Sequence, residues 1–184
     1  AYLFTSESVA EGHPDKVADQ ISDALLDQFL AYDEKAHTAI ETFVTTGQVV
    51  LMGEVRSEEY IDLQRIARNT INKIGYTKSE YKFDGESCGV LTAIHEQSDD
   101  INRGVSRADE DEQGAGDQGM MFGYATNETA NYMPVSLDLP RPTIKKPLLT
   151  GKEGRERPNP LPDPRSRVTE KYLINLSLKN ICRA

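Results

Sequence analysis

Cysteine is nearly missing from this 184-residue chain. Cys88 and Cys182 are the only two, and their spacing suits neither a disulfide framework nor a metal site, so both are expected to be buried or incidental thiols in a reducing compartment. Long hydrophobic runs are missing too. No window approaches the roughly 18 consecutive apolar residues of a membrane span, and the opening AYLFTSES has no basic stretch followed by an apolar one. No membrane partner is therefore expected, and the cytoplasm is the expected location. Basic residues are scarce through most of the chain: residues 1–139 hold 10 Lys and Arg against 26 Asp and Glu. Such an acidic body argues against a nucleic-acid partner, whose phosphates call for clustered cations.

What is present is ordinary for a globular protein, with 38% hydrophobic and 28% charged residues. The balance reverses near Pro140. From there to the end, 11 Lys and Arg face 4 Asp and Glu, and seven of the nine prolines fall in the same stretch. Residues from about Pro140 onward are expected to be solvated and not to pack as a regular domain.

Residues 14–32 have a helical period: Pro14 suits a first turn, and Val17, Ile21, Leu25 and Phe29 form one apolar stripe. Asp15, Asp19, Asp23 and Asp27 form a second stripe, expected in solvent except for Asp15. That residue stands at the helix start beside His13, where the helix dipole favours an anion. Ala39 to Thr45 and Val49 to Val55 suggest a hairpin. If Gly47 and Gln48 are its loop, Glu41 lies directly opposite Glu54, a repulsive pair that calls for a cation close by; the alternative is a turn one residue different, or an exposed face where water screens the pair. Ser57 is expected to cap a helix running to about Lys73, with Gly75 as its stop. Cys88 to Gln97 and Gly119 to Thr126 have strand character. The first half is thus α+β, with mixed sheets covered by helices on one face.

From Ser98 to Gln118 periodicity stops, as in a functional or disordered loop. Gly114 to Gly119 fits G-x-G-x-x-G, but it follows an acidic loop and leads into a strand-like segment, which is the wrong context for dinucleotides. A glycine-permissive loop able to approach a phosphate or shut over a site remains, beside a plain turn. The segment from Ser6 to Lys16 is dense in reactive groups, and His13 there has anion- and metal-binding neighbours. His37 and His95 lack such neighbours and are expected on the surface and on a sheet face.

SESVAEGHPDKVADQISDALLD, ETFVTTGQVVLMGE and GAGDQGMMFGYATNET, in this order and spacing, resemble the S-adenosylmethionine synthetases, continuously from about Tyr2 to Leu139. The resemblance implies a reaction in which methionine sulfur attacks the 5′ carbon of ATP, displacing triphosphate that is then hydrolysed, with Mg²⁺ and K⁺ required. By position His13 matches the histidine against the triphosphate, Asp15 a magnesium ligand, and Glu41 the potassium-site carboxylate. Glu54, Gln97 and Asp117 match methionine-binding positions, and Asp163 and Arg165 match ATP-binding ones. Arg165 stands where the family usually has lysine, a cation of different geometry. Residues 98–112 match a mobile gate. The family fold is three similar α+β domains woven from non-contiguous segments, in homodimers or higher homo-oligomers that share sites across a broad sheet interface.

On this resemblance residues 1–97 are expected to form the amino-terminal domain, 98–118 the gate loop and glycine motif, and 119–169 part of a central domain, with 170–184 an unmatched tail. Likeness thins after Leu139 and is not found beyond Glu170. Counterparts of the family's later phosphate-binding lysines, arginines and glycine-rich loop are also missing, so the chain is expected to be catalytically incomplete. The alternatives are a non-catalytic dimerising or regulatory relative, or an inactive truncated product.

Overall fold

The structure, a computed structural model, describes residues 1–97, 119–141, 163–172 and 179–183. Among them the chain divides into two compact units. One contains residues 18–73 and 77–122, and the other contains 1–17, 74–76 and 123–184.

The larger unit is built on strands β2 (His37–Thr45) and β3 (Gln48–Arg56), an antiparallel hairpin, and β4 (Gly89–Glu96), which runs parallel to β3. A parallel neighbour cannot follow by a tight turn, and the crossover is made through helix α2 (Leu63–Ile74). Helix α1 (Pro14–Tyr32) begins in one unit and continues into the other. Its expected stripe is buried: Val17, Ile21, Leu25 and Phe29 are at most 5% exposed. Ser22 and Thr42 share a 2.8 Å hydrogen bond between their hydroxyls, fixing α1 on the sheet face that carries Thr42. Val49, Leu51 and Val90 are buried, as are Ala67 and Ile71 of α2. The other face of this sheet is open, with Phe43 59% and Leu91 56% exposed. A mixed sheet with one covered face is the α+β arrangement expected.

Two local expectations fail here. Helix α2 starts at Leu63, six residues after Ser57, because Asp62 is its cap: Arg65 donates its backbone N–H to Asp62 Oδ1 at 3.0 Å. The Ser57 hydroxyl donates instead to Asp33 Oδ2 at 3.0 Å, tying the end of β3 to the turn after α1. The hairpin loop is Thr46–Gly47, not Gly47–Gln48, since the second loop position takes a positive φ and Gly47 fills it at +70°. This moves the register by two. Glu41 lies opposite Met52, and Glu54 lies between Ala39 on β2 and His95 on β4.

In the other unit, β1 (Tyr2–Val9) pairs antiparallel with β5 (Arg165–Tyr172), which pairs with β6 (Lys179–Arg183), and a short helix α3 (Val135–Asp138) also belongs to it. Ser166, Val168 and Glu170 are buried on one side of β5. Residues 165–172 and 179–183 therefore do enter a sheet, against the expectation for everything beyond Pro140; Thr143 to Thr150 lie outside the described residues. Gly119 to Thr126 is not a strand. It has no ladder partner among the described residues, and Met120, Met121, Phe122 and Tyr124 are 79–96% exposed. A strand-like pattern forms a strand only where another edge is offered to it.

Candidate active site

His13 occupies the turn between β1 and α1. Its N–H donates to the Ala10 carbonyl at 3.0 Å, and its own carbonyl accepts the first helical bond from Val17 at 2.8 Å. The imidazole caps the helix: Asp15 donates its backbone N–H to Nδ1 at 3.2 Å. An atom that accepts this bond carries no proton, so neutral His13 holds its proton on Nε2 and presents it as a donor. Nδ1 also lies 3.9 Å from Asp15 Oδ2, but that is too far for a hydrogen bond and would need Nδ1 protonated, so the backbone contact decides the tautomer. The His13 side chain is 16% exposed and that of Asp15 86%.

The same unit brings up the residues of β5. Pro164 accepts the Ala10 N–H at 3.1 Å, joining the turn before His13 to the start of β5. Asp163 Oδ2 is 3.4 Å from Arg165 Nη2, while Asp163 Oδ1 is buried with no hydrogen-bond partner among the described residues. A buried acceptor left in that state calls for a donor from elsewhere. Val9 and Arg165 are cross-strand partners, and so are Glu7 and Arg167. His13, Asp15, Asp163 and Arg165, singled out in the sequence through resemblance, fall in one unit of the fold. Sequence reasoning missed the Glu7–Arg167 pair, whose only sequence signal is opposite charge in two strands not yet known to be neighbours.

The other expected residues lie in the larger unit. Glu41, Glu54 and His95 share the open sheet face by strand alternation. Glu41 and Glu54 are diagonal neighbours, not a facing pair. Gln97 continues β4, its N–H donating to Val55 O at 3.1 Å. Asp117 and residues 98–112 lie outside the described residues, as does the glycine motif before Gly119. Among the described residues no group of three His, Cys, Asp or Glu side chains converges as a metal cage. No helix among them is long and apolar enough to cross a membrane.

Cys88 is a buried thiol. Burial pushes its pKa up, an effect that Arg68 opposes and Asp84 reinforces. This is the setting of an inert packing residue, as expected from the sequence.

Comparison with known proteins matches residues 1–99 to the S-adenosylmethionine synthetase N-terminal domain and residues 112–182 to the central domain of the same enzyme. Curated relatives named S-adenosylmethionine synthase include that of Flavobacterium johnsoniae, 63% identical over 172 residues, 94% of this chain and 41% of the relative. The Parabacteroides distasonis protein is 65% identical over 173 residues, 94% of this chain and 40% of its own length. That of Phocaeicola vulgatus is 66% identical over 171 residues, 93% and 40% respectively. The chain thus spans about two fifths of the length of these relatives. The likeness also runs well past Leu139, and the central-domain match continues beyond Glu170, into the stretch expected to be an unmatched tail.

Proposed function

The chain belongs to the S-adenosylmethionine synthetase family, and from that premise we propose that it supplies part of a site that joins ATP to methionine. The observation that carries this reading is His13 at the α1 N-terminus with its proton held on Nε2. In the proposed reaction the methionine sulfur forms a bond to C5′ of ATP, the C5′–O bond breaks, and triphosphate leaves with the electron pair. Charge gathers at the bridging oxygen as it leaves. A fixed Nε2–H donor and the positive end of the α1 dipole stabilise that charge most where it is greatest, in the transition state.

Asp15 suits Mg²⁺ because it offers an exposed carboxylate at the mouth of the same turn, and magnesium is commonly held by one or two carboxylates together with substrate phosphates and water. Bound there, Mg²⁺ would neutralise triphosphate charge. Asp163 and Arg165 are assigned to ATP, supported by the partnerless Oδ1 of Asp163 and by the cation beside it. Glu41 is assigned to K⁺, and Glu54, Gln97 and Asp117 to methionine. For the first two of these, the shared sheet face is the supporting geometry.

A second copy of the chain is the proposed partner of that face, since Phe43, Met52 and Leu91 are exposed there on adjacent strands and large apolar patches mark interfaces. The division into residues 1–97, the loop 98–118 and a partial central domain from 119 is part of the proposal, as is a cytoplasmic setting, in keeping with the unpaired Cys88.

The test is complementation. Chain 1–184 alone should form no S-adenosylmethionine from ATP, methionine, Mg²⁺ and K⁺. Mixed with the remaining carboxy-terminal part of the Flavobacterium johnsoniae enzyme, it should form product, and His13→Ala should abolish this. Product formation that survives His13→Ala would refute the assignment of His13.

A further inference from the structure

The residue just before His13 is held by a side chain that arrives from far along the chain. Tyr76 donates its hydroxyl to the carbonyl of Gly12 at 2.6 Å, across 64 positions of sequence. The chain reaches this point by a sharp exit from α2: Gly75 takes φ +118°, which stops the helix and turns Tyr76 aside. Only three residues of this stretch, Ile74 to Tyr76, join the unit that contains the His13 turn. We propose that Tyr76 is a positioning residue for His13, its hydroxyl setting the plane of the Gly12–His13 peptide and so the direction in which the Nε2–H points.

That peptide is held at two points, its N–H by the Ala10 carbonyl and its carbonyl by Tyr76, and without the hydroxyl a single bond is left to set its plane. Ala10 is bound through its N–H to Pro164 O and through its carbonyl to the His13 N–H, and the His13 ring is held at Nδ1 by the Asp15 N–H. The Gly12 carbonyl, on the opposite side of that peptide from the His13 N–H, accepts from the Tyr76 hydroxyl. A bond of 2.6 Å is at the short end for a hydroxyl donor, so small rotations of the peptide strain it. The donor is also permanent, because burial and then the negative field of Asp163 push the phenol upward from its ordinary value. The phenol therefore stays protonated, and a donor, at neutral pH. That His13 meets triphosphate rests on the function proposed above; that Tyr76 orients His13 does not.

The test uses chain 1–184 with ¹⁵N-labelled histidine. Unsubstituted, His13 should show one neutral tautomer, with the proton on Nε2. Tyr76→Phe removes a single oxygen and should mix the two tautomers of His13, leaving the signals of His37 and His95 in place. Unchanged His13 signals in a folded Tyr76→Phe chain would overturn the proposal. If that variant does not fold, hydroxyl exchange decides the matter in the unsubstituted chain. Tyr76 should exchange slowly beside Tyr60, which is 93% exposed, and equal rates would overturn the proposal. Addition of inorganic triphosphate with Mg²⁺ separates the two readings. A silent His13 in the unsubstituted chain counts against its catalytic assignment, whereas the tautomer comparison judges Tyr76 alone.

Discussion

Arg167 holds one oxygen of Glu7 with two donors, Nη2 at 2.6 Å and Nε at 3.1 Å, across a pair that the β1–β5 register sets directly opposite. The hydrogen bond from Arg167 is the main cause of a lowered Glu7 pKa; burial works against it, and the charges of Arg167, Arg165 and His13 reinforce it. A carboxylate whose pKa is lower folded than unfolded stabilises the fold above its unfolded value, and that contribution fades as pH falls through the folded value. Arg167→Met should therefore lower the melting temperature at pH 6–7, and the gap from the parent chain should close below the ordinary glutamate value of about 4.3. Melting curves across pH check this. A gap that stays constant down to pH 3 would show that packing, not charge, is what the substitution removes.

Two glycines of the larger sheet should respond very differently to alanine. Gly53 has φ +135°, and a Cβ there would overlap the carbonyl oxygen of Ala39, the residue before its cross-strand partner Ile40. Gly47 has φ +70° with its nearest obstacle 3.8 Å away, at Lys82 O. Gly53→Ala should cost at least roughly 3 kcal/mol, from backbone strain and overlap together. Gly47→Ala should cost roughly 1–2 kcal/mol, the ordinary price of a left-handed residue with a side chain. Urea denaturation of the two variants separates them, and equal losses would contradict the register.

Asp62, not Ser57, should control the start of α2. Asp62→Ala removes the acceptor of the Arg65 N–H and should cost about 1 kcal/mol, with a loss of helical circular dichroism on warming. Ser57→Ala should leave the helix signal unchanged. It should instead raise amide exchange at Glu58 and Glu59, whose N–H groups bond to Asp33 Oδ2 and Ser57 Oγ. Fraying of α2 in Ser57→Ala would restore the capping assignment made from the sequence.

These cases show which parts of the fold a single sequence carries. The stripe from Val17 to Phe29 was legible because a helix buries one face at a fixed period, whatever packs on it. The start of α2 was not, because Ser57 and Asp62 are equally good caps and the choice was made by Asp33, 24 residues from Ser57 and invisible to local pattern. The hairpin was legible as a hairpin, but its register hung on which loop position Gly47 fills, and a shift of two preserves the face of every side chain while changing every partner. The sheet of β1, β5 and β6 joins residues more than 150 positions apart, so no periodicity could announce it. At the candidate site, His13 and Asp15 stood out by their neighbours. Tyr76 did not, because one tyrosine after a helix-stopping glycine has no pattern to detect.

The corrected register changes what Glu41 and Glu54 should do. Directly opposite, their side chains would sit about 5 Å apart, but as diagonal neighbours on one face they are separated by roughly 7–8 Å. At that distance in water two like charges repel by about 0.5 kcal/mol, and salt near 0.1 M weakens this further. A double-mutant cycle with Glu41→Gln and Glu54→Gln should therefore give a coupling of about 0.5 kcal/mol or less at low salt, falling as salt is added. His95, opposite Glu54 on β4, and Arg56, two residues along β3, share the face, and with so weak a repulsion Glu41→Gln alone should raise stability only slightly. A coupling above 1 kcal/mol would mean that the carboxylates stand closer than this register allows. In the reconstituted enzyme the prediction turns on cation identity. If K⁺ sits at Glu41, replacing K⁺ by Na⁺ at equal ionic strength should slow product formation, and Glu41→Gln should flatten that difference while Glu54→Gln should chiefly raise KM for methionine. Equal sensitivity of both variants to the cation would place K⁺ elsewhere, because one carboxylate at the diagonal distance cannot stand in for the other.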